Sequence, residues 1–318
     1  MPGGVLAVGP CALACLTFAA AAQDYPSKPL RFIVPFPPGS VDTVGRIVAQ
    51  ELSTLMGRPV VVDNRGGAAG TIGTALAASA RPDGYTVLFS NISLAINVTL
   101  FPKLPYDTLK DLAPVSLIGR QPNLLVVHPA VPAKTVRELV ALARRTPGQL
   151  NYGSGGANTM LAMELFKTAT GTDIVGVPYN GIGPALVSLL GGQIQMTMSP
   201  LASSFPHVQT GKLRALGVTD LRRSALLPEL PTLHEAGVAG YEFHNWYGMF
   251  VPSVTPRATL QSLNKSIALA LAAPGLEKQF AAQGLEAKAT SPEEFAAYLK
   301  SEVSKFAGVV KATGMKPE

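Results

Sequence analysis

Two strand–turn–helix units constrain this chain more than any other feature. In the first, Leu30–Gln50, a short apolar run (Leu30, Phe32, Ile33, Val34) meets a Pro/Gly-rich turn. An amphipathic pattern follows, with Val44, Ile47, Val48 and Leu52 at helix spacing. In the second, Leu150–Phe166, a strand-like piece ends in Gly153-Ser154-Gly155-Gly156 and a helix opens at about Thr159. Such a unit aims unsatisfied backbone N–H groups and the positive end of a helix at one point, which suits an anion. Two of them imply a ligand held between two lobes.

The 318 residues suffice for two α/β lobes. With 47% hydrophobic and 14% charged residues, the composition predicts filled cores and argues against disorder. The net charge of +6 favours anionic partners. The 26 Lys and Arg are scattered, with no basic run or stacking aromatics, so no nucleic-acid partner is expected.

Residues 1–22 read as an export signal: Val5–Ala22 is apolar and small, with an Ala-rich end before Asp24, and cleavage is expected near Ala22. No Lys or Arg precedes the apolar run, a departure from the usual pattern. Cys11 and Cys15 both lie within it, and Ala12-Leu13-Ala14 is a poor acylation context. The mature chain therefore has no disulfide and no thiolate metal site. A soluble, lipid-free monomer in the periplasm is the expectation.

Along the rest of the chain β-rich runs alternate with helical ones, the sign of α/β architecture with parallel strands. Strands are predicted at Leu30–Pro35, Val60–Asp63, Tyr85–Ser90, Asn123–His128, Val175–Val177, Gln195–Met198, Leu213–Val218 and Met249–Val251. Helices are predicted at Asp42–Met56, through Ala80, from Thr135 to Arg144, Thr159–Thr170, Pro184–Leu190, Pro256–Ala272 and Pro292–Ala312. Crossings near Leu124–Val127 and Trp246–Val251 would divide the chain into one lobe of 23–127 with 246–318 and another of 128–245. A chain that crosses twice suits hinge closure, about strands near Val126 and Phe250.

Catalytic signatures are missing. Ser154 lacks the glycine two residues before it that a nucleophile elbow needs, since Tyr152 stands there. Asn158 stands where a dinucleotide fingerprint has its third glycine. His128, His207, His234 and His244 show no metal-ligand spacing, so no metal, cofactor or catalytic residue is expected. Ser40 or Asp42 reads as the cap of the first helix. Phe36 is placed at the mouth of a cleft by its stiff proline turn, and the lone Trp246 is expected in the core.

Together the residues resemble the Bug receptor family, the extracytoplasmic solute-binding components of tripartite tricarboxylate transporters. The resemblance rests on an ordered set: PFPPG…D (Pro35–Asp42), NRGGAAGTIG (Asn64–Gly73), RPDGYT (Arg81–Thr86), LPYD…KDLAPV (Leu104–Val115), LNYGSGG (Leu150–Gly156), VPYNG…PA…LLGGQ (Val177–Gln193) and LPTLHEAGVAGYEFHNWYG (Leu230–Gly248). It implies a two-lobed, type II-like periplasmic-binding-protein fold, each lobe a mixed sheet flanked by helices with the cleft between lobes. It further implies that the loops matching Phe36–Asp42 and Ser154–Thr159 hold a ligand carboxylate, largely through backbone groups.

Three departures stand out. Ser40 follows Gly39 where the family commonly has a second glycine, Asn180 stands where it usually has Lys or Arg, and Ser188 where it has an acid. The last two change what the far end of the ligand must be. The expected ligand-binding set is Phe36, Pro38, Gly39, Ser40, Asp42, Ser90, Asn91, Ser154, Gly155, Asn158, Thr159, Tyr179, Asn180 and Ser199. The function expected is capture of a di- or tricarboxylate or an aromatic carboxylate by lobe closure. Presentation to permease subunits or to a sensor kinase would follow. The competing reading is an exported α/β hydrolase using Ser154.

Overall fold

The computed structural model describes residues 3–4 and 25–314. The export signal and its cleavage site at Ala22 thus lie outside the described residues, except for Gly3 and Gly4.

The first sheet half begins with β1 (Leu30–Val34), α1 (Ser40–Met56), β2 (Val60–Asn64), α2 (Thr71–Ala78), β3 (Thr86–Asn91) and α3 (Ser93–Leu100). β1 pairs in parallel with β2 and β3. The chain then enters β4 (Leu112–Val127), a strand of 16 residues. The second half follows: α4 (Val136–Arg145), β5 (Asn151–Ser154), α5 (Ala157–Thr170), β6 (Val175–Pro178), α6 (Ile182–Leu190), β7 (Met196–Pro200), α7 (Leu201–Gln209) and β8 (Arg214–Val218). β9 (His244–Pro252) returns to the first half, and α8 (Arg257–Leu271), α9 (Pro274–Ala282), β10 (Glu286–Ala287) and α10 (Pro292–Thr313) complete it.

The strand order is β2-β1-β3-β9-β4-β7-β5-β6, with β8 and β10 also on β4. The sheet is mixed, because β9 runs antiparallel to both β3 and β4. β4 joins the halves: Leu112–Pro122 pairs with β9, whereas Asn123–Val127 lies between β7 and β8. Several elements correct the sequence reading. β4 starts at Leu112 rather than Asn123 and β9 at His244 rather than Met249, while α3, α7 and α9 were not expected.

Helix ends follow local chemistry where a side chain can cap them. Thr135 accepts from Glu138 N at the start of α4, and Ser291 with Glu294 forms a reciprocal capping box on α10. α1 opens at Ser40, two residues before the expected Asp42, and its N-cap is Gly39, which has no capping side chain. One apolar core runs from Ile33 and Phe250 through Trp246 to Leu125 and Phe166, so both halves share it. Trp246 is fully buried as expected, edge-on to Phe295 and Tyr298, with its indole N–H donating to Glu302. No described helix is long and apolar enough to cross a membrane.

Candidate functional site

Three helices start at one cavity, and each is preceded by a glycine: α1 after Gly39, α5 after Gly156 and α6 after Gly181. None of these starts is capped by a side chain. Gly156 (φ 132°) and Gly181 (φ 104°) hold backbone conformations that other residues rarely adopt. The first intrahelical bonds of α1 and α5 come from Thr43 N to Gly39 O and Met160 N to Gly156 O. Hence the N–H groups of Ser40–Asp42 and Ala157–Thr159 have no partner within their helices. The ends of β5 and α6 are pressed together, since a Cβ on Gly155 would collide with the backbone of Ile182.

The cavity measures about 70 Å³. Of the expected residues, Phe36, Pro38, Gly39, Ser40, Asn91, Gly155, Asn158, Thr159 and Asn180 line it. Asp42, Ser90, Ser154, Tyr179 and Ser199 stand outside the lining. Asp42 is buried, and its carboxylate accepts from Arg46 Nε at 2.9 Å and Asn64 Nδ2 at 2.9 Å. Ser90 is buried opposite Gly248 in the β3–β9 pair. Ser199 is buried, with its hydroxyl donating to Pro200 O. The Tyr179 hydroxyl donates to Ser188 Oγ at 2.6 Å. Ser154 is buried, 1% exposed.

Pro37 and Val41, inside the loop Phe36–Asp42 expected to hold the carboxylate, also line the cavity, whereas Pro200 and the α6 start, Gly181–Pro184, line it without having been in the expected set. The signal for α6 was the same strand–glycine–helix order, obscured by its resemblance to a simple turn at Tyr179-Asn180-Gly181.

Polar contacts fasten both walls to the two crossing strands. On one side Ser40 lies beside the Tyr247 hydroxyl, which accepts from Gln121 Nε2 at 2.6 Å. Burial pushes the Tyr247 phenol well above its ordinary range, so it stays protonated. On the other, Asn158 Nδ2 donates to Asn245 Oδ1 at 3.0 Å, and Asn245 Nδ2 to Asn123 Oδ1 at 3.2 Å. Thr159 stiffens its own turn, accepting from Gly155 N and donating to Gly156 O. Gln121 Oε1 and Asn123 Nδ2 are buried there without a hydrogen-bond partner.

A second, larger groove of about 660 Å³ lies at the edge where β4, β9 and β10 meet, lined in part by Arg120, Asp220, Arg222, Glu242, His244 and Glu286. His244 faces Asp220 at 3.0 Å and Glu242 at 3.7 Å, a convergence that the histidine spacing did not reveal. Burial disfavours the Asp220 carboxylate, but bonds from Arg222 N–H and His244 outweigh this and lower its pKa. The three residues could offer a metal one ligand atom each. In their present contacts the two ring nitrogens of His244 face the two carboxylates.

Comparison with known proteins decides the family. A profile described as "Tripartite tricarboxylate transporter family receptor" matches residues 44–315. The chain belongs to this family. BugT of Bordetella pertussis is 37% identical over 93% of this chain and 92% of its own. A structure of an R. palustris protein with adipate superposes with a TM-score of 0.89 at 34% identity, covering 93% of this chain and all of that one. Periplasmic binding protein BugD gives a TM-score of 0.87 at 30% identity, over 92% of this chain and 100% of BugD. MatC from Rhodopseudomonas palustris with bound malate gives 0.85 at 29% identity, over 90% and 100%. The two-lobed solute-binding fold expected from the sequence is thus the fold of this family.

Proposed function

We propose that this receptor captures a small organic carboxylate between its lobes, 23–127 with 246–318 and 128–245, and closes about β4 and β9. The observation that carries this reading is the meeting of uncapped starts of α1 and α5 across one cavity. Each helix start contributes roughly half a positive charge and a fan of free N–H groups. Together they match one carboxylate, with the bridge completed only when both walls are close. Adipate and malate bound to related structures support the same ligand class.

The protein acts without catalysis, in the periplasm, after removal of residues 1–22. It delivers its ligand to the permease subunits of a tripartite transporter or to a sensor kinase. Binding, rather than turnover, is therefore the activity to measure. A thermal-shift screen against organic acids tests the reading: ligand at a hundredfold excess over Kd stabilises by about 2.7 kcal/mol. Small-angle scattering with the hit should show a smaller radius of gyration. A melt moved by sugars or amines but by no acid would sink the proposal, and an unchanged radius on verified binding would remove the closure.

A further inference from the structure

We propose that the cleft selects acids with one carboxylate and an uncharged remainder, and that Asn180 sets this preference. The inference rests on the carboxylate-receptor reading above and narrows it.

Among the described residues, those lining the cavity include no Lys, Arg or His. Arg46, one turn into α1, is already held by Asp42 at 2.9 Å and Asn64 at 3.1 Å. Positive potential in the cavity therefore comes from backbone alone. The starts of α1 and α5 supply enough for one carboxylate, through the N–H groups of Ser40–Asp42 and Ala157–Thr159.

The third start, α6, is a poorer anion site for identifiable reasons. The Gly181 N–H is spent on Tyr179 O at 2.8 Å, and Pro184 has no N–H to give. The neighbouring Tyr179 hydroxyl is spent on Ser188 Oγ, which in turn donates to Gln193 Oε1 at 2.9 Å. What remains on that wall is the N–H of Ile182 and Gly183 beside the Asn180 amide. An amide offers a donor and an acceptor, which suits a hydroxyl, carbonyl or ester. Phe36, Pro37, Val41 and Pro200 add apolar surface to the lining.

A second carboxylate would lose its hydration here without gaining a cation, the arrangement that disfavours an ionised group most.

The test is calorimetric titration of the mature protein with straight-chain monocarboxylates of about three to six carbons. Each is compared with its dicarboxylate and with the monomethyl ester of that diacid. The ester is larger than the diacid, so it separates charge from size. Near neutral pH, butanoate and monomethyl succinate should bind at least about tenfold more tightly than succinate. Lowering the pH to about 5 should narrow the gap as the singly protonated diacid becomes populated. Asn180→Arg, at an exposed position, should reverse the order, with the melting temperature of the variant checking its fold. Dicarboxylates that match or beat their monocarboxylates overturn the inference and leave the receptor reading intact. Failure of every acid overturns both.

Discussion

Asn64 and Asp42 are joined by a 2.9 Å hydrogen bond, and the same Asn64 amide donates to Phe36 O at 3.0 Å. One side chain thereby fastens the proline turn to the first turn of α1. Arg46 closes the group by bonding Asp42 Oδ2 and Asn64 Oδ1. The acid expected among ligand contacts is thus a brace that sets the direction of the N–H groups above it.

Asn64→Leu should destabilise the protein by about 1–3 kcal/mol, because it removes donors from a buried carboxylate and from Phe36 O. Chemical denaturation measures this. Unchanged stability would mean that the proline turn holds its shape without the brace.

Ser40→Pro isolates the backbone contribution to binding. Ser40 is the first residue of α1, where proline's fixed φ is tolerated, and the extended Gly39 accepts a following proline. The variant loses one N–H together with the side-chain hydroxyl beside Tyr247. A hydrogen bond to a charged group is worth about 1.5–3 kcal/mol, so affinity should fall roughly ten- to a hundredfold. Ser40→Ala keeps the N–H and controls for the hydroxyl. Equal losses in the two variants would assign the effect to the side chain instead.

Arg46→Ala should change ligand affinity by less than about threefold, since its guanidinium is engaged by Asp42 and Asn64 outside the cavity lining, and Asn64 still ties Asp42 to Phe36 O without it. Calorimetric titration checks this. Loss of binding here would replace the backbone cradle with a direct ion pair.

Glu302→Ala strands the buried indole N–H of Trp246, which donates to Glu302 Oε2 at 3.0 Å. The expected cost is about 1–3 kcal/mol, seen as a melting temperature lower by several degrees. A smaller loss on adding Glu302→Ala to a Trp246→Phe background than to the parent would attribute the cost to that bond.

Acid should weaken the fold partly through Asp63. Burial raises its pKa, but hydrogen bonds from Arg31 at 2.6 Å and Arg65 at 2.8 Å outweigh this and leave it lowered. A folded-state pKa below the unfolded value near 3.9 stabilises above that value and is lost as pH falls through the folded one. Denaturation curves of Asp63→Asn should therefore depend less on pH in that acid range. A steeper dependence would contradict the sign.

Local signals made much of this fold legible. α1, α4, α8 and α10 show clear periodicity or strong stops and starts, and most parallel strands are apolar runs between turn residues. α3 escaped because almost all of Ser93–Leu100 is buried, which leaves no polar face to set a period. The first half of β4 escaped because Pro114, Ser116, Gly119 and Pro122 break its apolar pattern, and its register with β9 shifts twice. At the site, the glycine turns were readable, whereas the α6 wall depends on how β5 and β6 pair. The approach of Asp220 to His244 depends on the path from β8 to β9, which residue spacing does not encode.

β4 has a consequence for anyone wishing to exchange specificities between relatives. β7 and β8 bond to opposite edges of Asn123–Val127 and not to each other. A fragment of 128–245 would thus lack the strand that unites its own sheet. It would also leave one side of the shared core bare. A lobe graft that respects the hydrogen bonding must be cut within the strands themselves, between Pro122 and Asn123 and between His244 and Asn245. Each transplanted piece then carries its own half of the spine.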